Sequence, residues 1–369
     1  AIKHSEMSHI ATFNVTDLEK QLALALDIPL FGCDPAFWYL GTKSGCRKLF
    51  KQLGINLPAG SEDLKNEQDI AHALAALKTA KPELQKAVIK MNDGFSGEGN
   101  AIFSFKAISA GDAKLTDTIL KNLKSQLKIV APGMGYELFM EKFTSMGGIV
   151  EEFIAGDENR SPSVQCRVNP VGEPDVFSTH DQLLGGESGQ VYIGATFPAD
   201  KEYSVEIGAI GKKVADELQR LGALGRFAID FMSVKKSTGW EHYAIEINLR
   251  KGGTTHPYIM LQFLTNGSYN WKTGTYTMPN GQQRSYFASD NVVNEKYKGL
   301  TPHDLIDMAI CNHILYDGSK QAGVMFHMLG ALSEFGKVGM VCIGETAEDA
   351  RNYYYKTLEV LDREVGELK

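Results

Sequence analysis

The chain has 369 residues, of which 43% are apolar and 22% charged, ordinary values for a globular protein with enough chain to bury a large core. At about 150 residues per domain, that length points to two or three domains. Lys and Arg number 38 against 45 Asp and Glu, and the net charge of −7 lacks the basic footprint of a general nucleic-acid binder. A local cationic pocket for a phosphate or carboxylate remains compatible with it.

Five cysteines (Cys33, Cys46, Cys166, Cys311 and Cys342) lie far apart. An odd count with no C-x-x-C pair supports neither a disulfide framework nor a zinc site, and a reduced, cytoplasmic setting is expected. No apolar run approaches the roughly 18 residues of a membrane helix, so no membrane partner is expected. The start, Ala1 to Ser5, shows no apolar signal region and no Met, as in a chain whose upstream residues have been removed.

Helix and strand signals alternate along the chain, which indicates an α/β or α+β enzyme-like fold. Cys46, Leu49, Phe50 and Leu53 share one side of a helix from Lys43 to Leu53, with Gly54 as its stop. A second helix is predicted from Glu67 to Lys81. Strands follow at 87–91 and 101–105, separated by a glycine-rich stretch. Leu115, Ile119, Leu123 and Leu127 mark a helix, and Gly147-Gly148 opens a strand from Ile149 to Ile154. The middle of the chain reads as strands at 163–168 and 176–180, a helix from Ser204 to Leu221, and a β-hairpin from Arg226 to Leu249. In the last hundred residues, Thr301-Pro302-His303-Asp304 is a capped helix start, Thr346 to Asp349 is another, and the final helix reaches Val365.

The stretch Lys90-Met91-Asn92-Asp93-Gly94-Phe95-Ser96-Gly97-Glu98-Gly99-Asn100 places three glycines in six residues between two strands. Such a loop can fold over phosphates and donate backbone N–H groups, with Lys90 supplying a point charge. Its order is G-x-x-G-x-G and a strand follows it, so it is neither a Rossmann fingerprint nor a P-loop. A plain hairpin with a flexible tip is the competing reading.

The hairpin carries more information. Phe227, Ile229 and Phe231 alternate with Asp230; Ile245, Ile247 and Leu249 alternate with Glu246, Asn248 and Arg250. A turn at Lys235 to Gly239 brings Asp230 close to Glu246. Asp230, Glu246 and Asn248 then form a set of hard oxygen donors without His or Cys, which suits Mg²⁺. Arg250 extends the row towards an anion on that metal. A solvated polar sheet face is the bland alternative, but acids on adjacent strands repel one another.

With both features in hand, the chain resembles the ATP-grasp superfamily over roughly Lys43 to Pro257. The motifs occur in order: the Lys-ending strand and glycine loop, the hinge-like Val150-Glu151-Glu152-Phe153-Ile154-Ala155-Gly156-Asp157-Glu158, and Asp230 with Glu246-Ile247-Asn248. The phrases Arg160 to Gln165, Ser178 to Gln182, Asn248 to Pro257 and His327 to Gly344 further resemble the pheganomycin-type peptide ligases. The resemblance implies an α+β fold in which two α+β subdomains clamp ATP, with N-terminal and C-terminal extensions. The segments are then an N-terminal segment at 1–84, subdomain A with the phosphate loop at 85–147, subdomain B with the Mg²⁺ hairpin at 148–257, and a C-terminal α/β unit at 258–369.

It also implies a carboxylate–amine ligase that forms a peptide-type bond through an acyl phosphate and releases ADP and phosphate. The cofactors implied are ATP and Mg²⁺, the partners a small-molecule or peptide carboxylate and an amine, and the assembly a homodimer. Carried over by position, Lys90 contacts the phosphates, with Arg47 as a second basic contact. Gly94, Phe95, Ser96, Gly97 and Gly99 close over them. Glu151, Glu152, Phe153 and Ile154 form the adenine hinge, and Glu158 binds ribose.

Arg250 is the candidate for stabilising charge on the transferring phosphoryl group, because its planar fork bonds two oxygens. His180 with Asp181 is read as a base for the attacking amine or a substrate contact, against a structural role. Arg160 is read at the donor carboxylate, and Ser163 as a further substrate contact. Thr254 and Thr255 are read at the acceptor or its oxyanion, against a strand-ending turn. An ATP-grasp kinase and a non-catalytic nucleotide-binding regulatory protein are the competing functions.

Overall fold

The computed structural model describes residues 2–94, 99–156, 158–185 and 191–367. In chain order its elements begin with α1 (Asp17–Leu26), α2 (Lys43–Gln52), β1 (Gly60–Leu64), α3 (Glu67–Ala80), β2 (Lys86–Met91), β3 (Asn100–Ser104), α4 (Leu115–Gln126), β4 (Leu127–Ile129), α5 (Tyr136–Met146) and β5 (Gly148–Glu152). They continue with β6 (Asn159–Arg160), β7 (Pro162–Val168), β8 (Pro174–Gly185), β9 (Val191–Phe197), α6 (Ser204–Arg220), β10 (Gly225–Lys236), β11 (Gly239–Asn248) and α7 (Thr255–Thr265). The last are β12 (Ser268–Asn270), β13 (Thr275–Thr277), β14 (Ser285–Val293), α8 (Pro302–Cys311), β15 (Gly323–His327), α9 (Leu332–Phe335), β16 (Lys337–Gly344) and α10 (Ala347–Glu367). The fold class is α+β, as expected: the pairings within each sheet are antiparallel between the strands whose register is defined.

Two units emerge, each assembled from separated stretches of chain. The first takes Ala1–Arg160 with Glu217–Arg250, and the second takes Ser161–Gly185, Tyr192–Asp216 and Lys251–Lys369.

In the first unit, a five-stranded sheet runs in the order β1-β5-β2-β3-β4. Its apolar face buries Ile89, Phe103 and Val150 against Leu74 of α3, Ile119 of α4 and Phe143 of α5. The helices begin where local chemistry dictates. The Thr42 hydroxyl accepts from the Gly45 N–H to start α2, and the Asn66 amide oxygen does the same for Asp69 to start α3. Gly45 also lets α2 approach the preceding turn, because a Cβ there would stand 1.9 Å from the Tyr39 carbonyl oxygen. Gly147, at φ +75°, ends α5 and turns the chain straight into β5. The β10–β11 hairpin belongs to this same unit, with β6 paired to β10.

In the second unit the strand order is β7-β8-β9-β14-β16-β15. One core gathers Phe177, Phe197, Tyr258, Tyr276 and Tyr286, and another gathers Leu305, Val338, Met340 and Leu361. The capped start at Thr301 is present as a full capping box with Asp304, and Pro302 sits in the first turn. The run after Arg250 departs from the expected loop. It passes directly into α7 at Thr255, so Thr255, His256 and Pro257 form the first helical turn.

Candidate active site

The hairpin closes through a Lys236–Gly239 pair. An uninterrupted register from there would set Asp230 opposite Ile245. A bulge between the Phe231–Ala244 and Asp230–Glu246 pairs adds one residue to β11, and Glu246 becomes the direct partner of Asp230. Below them Phe227, Ile229, Phe231 and Ile247 are buried, so the acids face the other way. Asn248 ties the row together: its Nδ2 donates to Asp230 Oδ2 at 2.9 Å and to Glu246 Oε1 at 3.4 Å, and Arg250 donates to its Oδ1 at 3.0 Å. Turning that amide over would present its oxygen to the two carboxylates.

Lysines come to the acids from the other elements. Lys43, in the first turn of α2, forms an ion pair with Glu246, and Lys90, on β2, forms one with Glu151. Burial lowers the Lys43 ammonium below its usual value, the positive charge of Lys90 lowers it further, and Asp230 acts in the opposite direction. Arg250 is lowered by burial too, while Asp230 and Asp93 support its charge. Asp93 belongs to the stem of the glycine loop, so that stem is near enough to the hairpin to act on Arg250.

Arg47 is placed differently from a free phosphate contact. It is only 1% exposed, and its donors reach Glu62 at 2.8 Å, Glu151 at 2.9 Å and the Pro58 carbonyl at 2.9 Å. This guanidinium welds α2 to β5 and orients Glu151. Glu151 itself is buried between Arg47 and Lys90, and Glu152 accepts from the Ala59 N–H and pairs with Lys81. Phe153 lies under the Lys86 ammonium, 5.7 Å away, and Ile154 is half-buried just beyond. Glu158 is half-buried, with Arg160 at 3.0 Å and Lys235 at 3.9 Å. Gly94 and Gly99 flank the glycine loop, and the Gly99 carbonyl accepts from Met91 at 3.0 Å. Phe95, Ser96 and Gly97 lie outside the described residues.

The remaining expected site residues lie in the second unit. His180 is fully buried, its Nε2 is 2.6 Å from the Tyr286 hydroxyl, and burial drives its pKa to about 3. A ring so enclosed is a core group, which disfavours the expected role as an amine base. Ser163 is opposite it on β7 and is likewise buried. Asp181 accepts from the Tyr203 hydroxyl and from the Asp200 N–H, pinning the turn that leads into α6. Gln165 donates to Thr254 at 2.6 Å and accepts from Thr255 at 3.1 Å, so these two hydroxyls are held in a buried network.

Sequence reasoning used Lys43 only as a helix start. Its signal was the four-residue spacing to Arg47, which places both cations on one side of α2. Among the described residues no group of three or more His, Cys, Asp or Glu is arranged for a metal. A divalent ion here therefore needs the Asn248 amide as third donor, and the two acids plus an amide oxygen suit Mg²⁺. The Lys43 ammonium against Glu246 shows that this carboxylate already takes a cation.

A profile described as IQCH-like, ATP-grasp matches residues 36–128 and 114–272, more than half of the chain. The chain belongs to this ATP-grasp family. A second profile, for the PGM1 C-terminal domain, matches residues 304–357. Among curated proteins the chain is similar to L-propargylglycine--L-glutamate ligase of Streptantibioticus cattleyicolor, 28% identical over 317 residues, covering 85% of this chain and 62% of that protein. It is also similar to IQ motif-containing protein H of Danio rerio, 21% identical over 398 residues, covering 99% of this chain and 37% of that protein. The chain thus spans less than two thirds of the length of both relatives. Among solved structures it shares its fold with the biotin carboxylase domain of Hydrogenobacter thermophilus 2-oxoglutarate carboxylase, in complex with MgADP, ADP and bicarbonate. That match has a TM-score of 0.60 at 13% identity, covering 92% of this chain and 70% of the other.

Proposed function

We propose that the protein is an ATP-dependent ligase that joins a carboxylate to an amine through an acyl phosphate and releases ADP and phosphate. In this reading segments 85–147 and 148–257 act as the two subdomains that clamp the nucleotide. The observation that carries it is the row Asp230, Glu246, Asn248 and Arg250 on one hairpin face, in the same unit as Lys43 and Lys90. The ligase named among the relatives supports the reaction class.

A carboxylate and a terminal phosphate are both anions, so their approach needs fixed positive charge. Asp230, Glu246 and Asn248 would hold Mg²⁺, which supplies charge neutralisation at the phosphates when bound. Lys90 and Lys43 would exchange their present carboxylate partners for phosphate oxygens. Arg250 would stabilise charge on the transferring group, since its planar fork can bond two oxygens. Phosphoryl transfer asks little covalent chemistry of the protein, so these positions carry most of the catalysis. Glu152, Phe153, Ile154 and Glu158 would receive the nucleoside, and Arg160 the donor carboxylate. Gly94 to Gly99 would close over the phosphates and exclude water.

The test is an assay with ATP, Mg²⁺, L-glutamate and a panel of amino acids. ADP and phosphate are expected to accumulate only when donor and acceptor are both present, and hydroxylamine is expected to trap a hydroxamate. Release of AMP, or a stable phosphoester in place of the hydroxamate, would overturn the proposal.

A further inference from the structure

We propose that Phe13, carried on a strap formed by residues 10–34, is a positioning residue that holds Arg250 for contact with a nucleotide's terminal phosphate; this rests on the role given to Arg250 above. The Arg250 guanidinium carbon sits over the Phe13 ring, 5.6 Å from its centre, although Phe13 is 56% exposed. The cation thus has the Asn248 Oδ1 at 3.0 Å and the aromatic ring beneath its central carbon among its partners.

The strap is braced by contacts between its own two arms. Ile10 bridges Leu30, with the Ile10 N–H donating to Pro29 at 2.8 Å and the Phe31 N–H to Ile10 at 2.9 Å. Val15 seats against Gly32, where a Cβ would stand 2.4 Å from the valine methyl. Lys20 pairs with Asp34 at 2.8 Å, and the Asp34 carboxylate caps the turn Pro35–Gly41 that leads into α2 with Lys43 and Arg47. A lone exposed Phe is ordinary at a surface. One mounted on an anchored strap, with its ring on a half-buried guanidinium at the end of the acid row, has a specific use. Arg side chains carry large rotamer entropy, and a fixed ring restricts that freedom before a ligand arrives.

The experiment measures ADP and AMP-PNP affinity, with Mg²⁺, by calorimetry on the wild type, Phe13→Ala, Phe13→Trp, Arg250→Ala and the Phe13/Arg250 double variant. The wild type is expected to prefer AMP-PNP. Phe13→Ala is expected to lose about three- to five-fold of that preference while ADP affinity stays the same, and Phe13→Trp is expected to retain it. Phe13→Ala is expected to add nothing once Arg250 is Ala. A Phe13→Ala protein that keeps the full preference, or that loses ADP and AMP-PNP affinity equally, overturns the positioning role. A wild type with no preference overturns instead the assignment of Arg250. A nucleotide-free readout is the arginine Nε–H signal of Arg250, which is expected to be ring-shifted in the wild type and to move on Phe13→Ala; an unmoved signal contradicts the stacking.

Discussion

Two sets of polar side chains on β-strands look alike in the sequence and behave oppositely in the structure. On β10 and β11, Asp230, Glu246 and Asn248 are half-buried and face one another as two acids and an amide, a set that gathers negative charge in one place. In the second unit, His180, Gln165, Ser163 and Thr254 are buried, and His180, Gln165 and Thr254 are bonded within their own core. The first set concentrates negative charge, which the Lys43 ammonium offsets at Glu246. The second is neutral, and its hydrogen bonds serve the packing.

The largest expected effect separates chemistry from stability. Glu246→Gln keeps the shape of the row but removes half of its carboxylate charge. ATP turnover is expected to fall about a thousandfold, on the order of 4 kcal/mol, with an unchanged far-UV spectrum. Retained turnover would dissolve the contrast. Arg47, in the first unit, is charged yet fully buried. Arg47→Met would leave Glu62 and Glu151 without their shared guanidinium, and urea unfolding is expected to show a loss of about 3 kcal/mol or more. A loss near zero would make Arg47 a mobile ligand contact instead.

The buried set answers to pH. His180 is held neutral, with a folded pKa of about 3 against 6.5 for the free ring. Above about pH 6.5 the ring is neutral in both states and adds no pH dependence. Below it the unfolded chain takes up a proton that the folded chain refuses, and stability falls by up to about 1.4 kcal/mol per pH unit. His327, lowered to about 4 by burial, adds a slope of the same sign. His180→Gln is expected to flatten the urea midpoint between pH 6.5 and 5, while a slope as steep as the wild type's would show that the ring titrates freely. The smallest effect is local. Thr301→Ala removes the capping box of α8 and is expected to lower stability by about 1 kcal/mol with no change in nucleotide binding.

Much of this was legible in the residues. The Asp230–Glu246 pairing follows from alternation and the turn, although the bulge that makes it direct leaves no mark that period-two reasoning can read. Lys90 at a strand end and the capped starts at Thr301 and Thr346 read correctly, because each depends on neighbours close in sequence. The burial of Arg47, Glu151 and His180 did not. Their burial is set by α2, β5 and β14, which meet them from far along the chain, so a charged residue in a promising motif was indistinguishable from one already spoken for. Lys43 was overlooked for the converse reason: its partner Glu246 lies far along the chain, and its own place at a helix start carries no mark of that pairing.

The central claim is that two acids and an amide hold a divalent ion beside a nucleotide. It is tested most directly by the anomalous difference map of crystals grown with Mn²⁺ and AMP-PNP. The expected result is a peak bounded by Asp230, Glu246 and Asn248, with the Lys43 ammonium withdrawn from Glu246. A peak elsewhere, or nucleotide bound with no metal at this row, would contradict it.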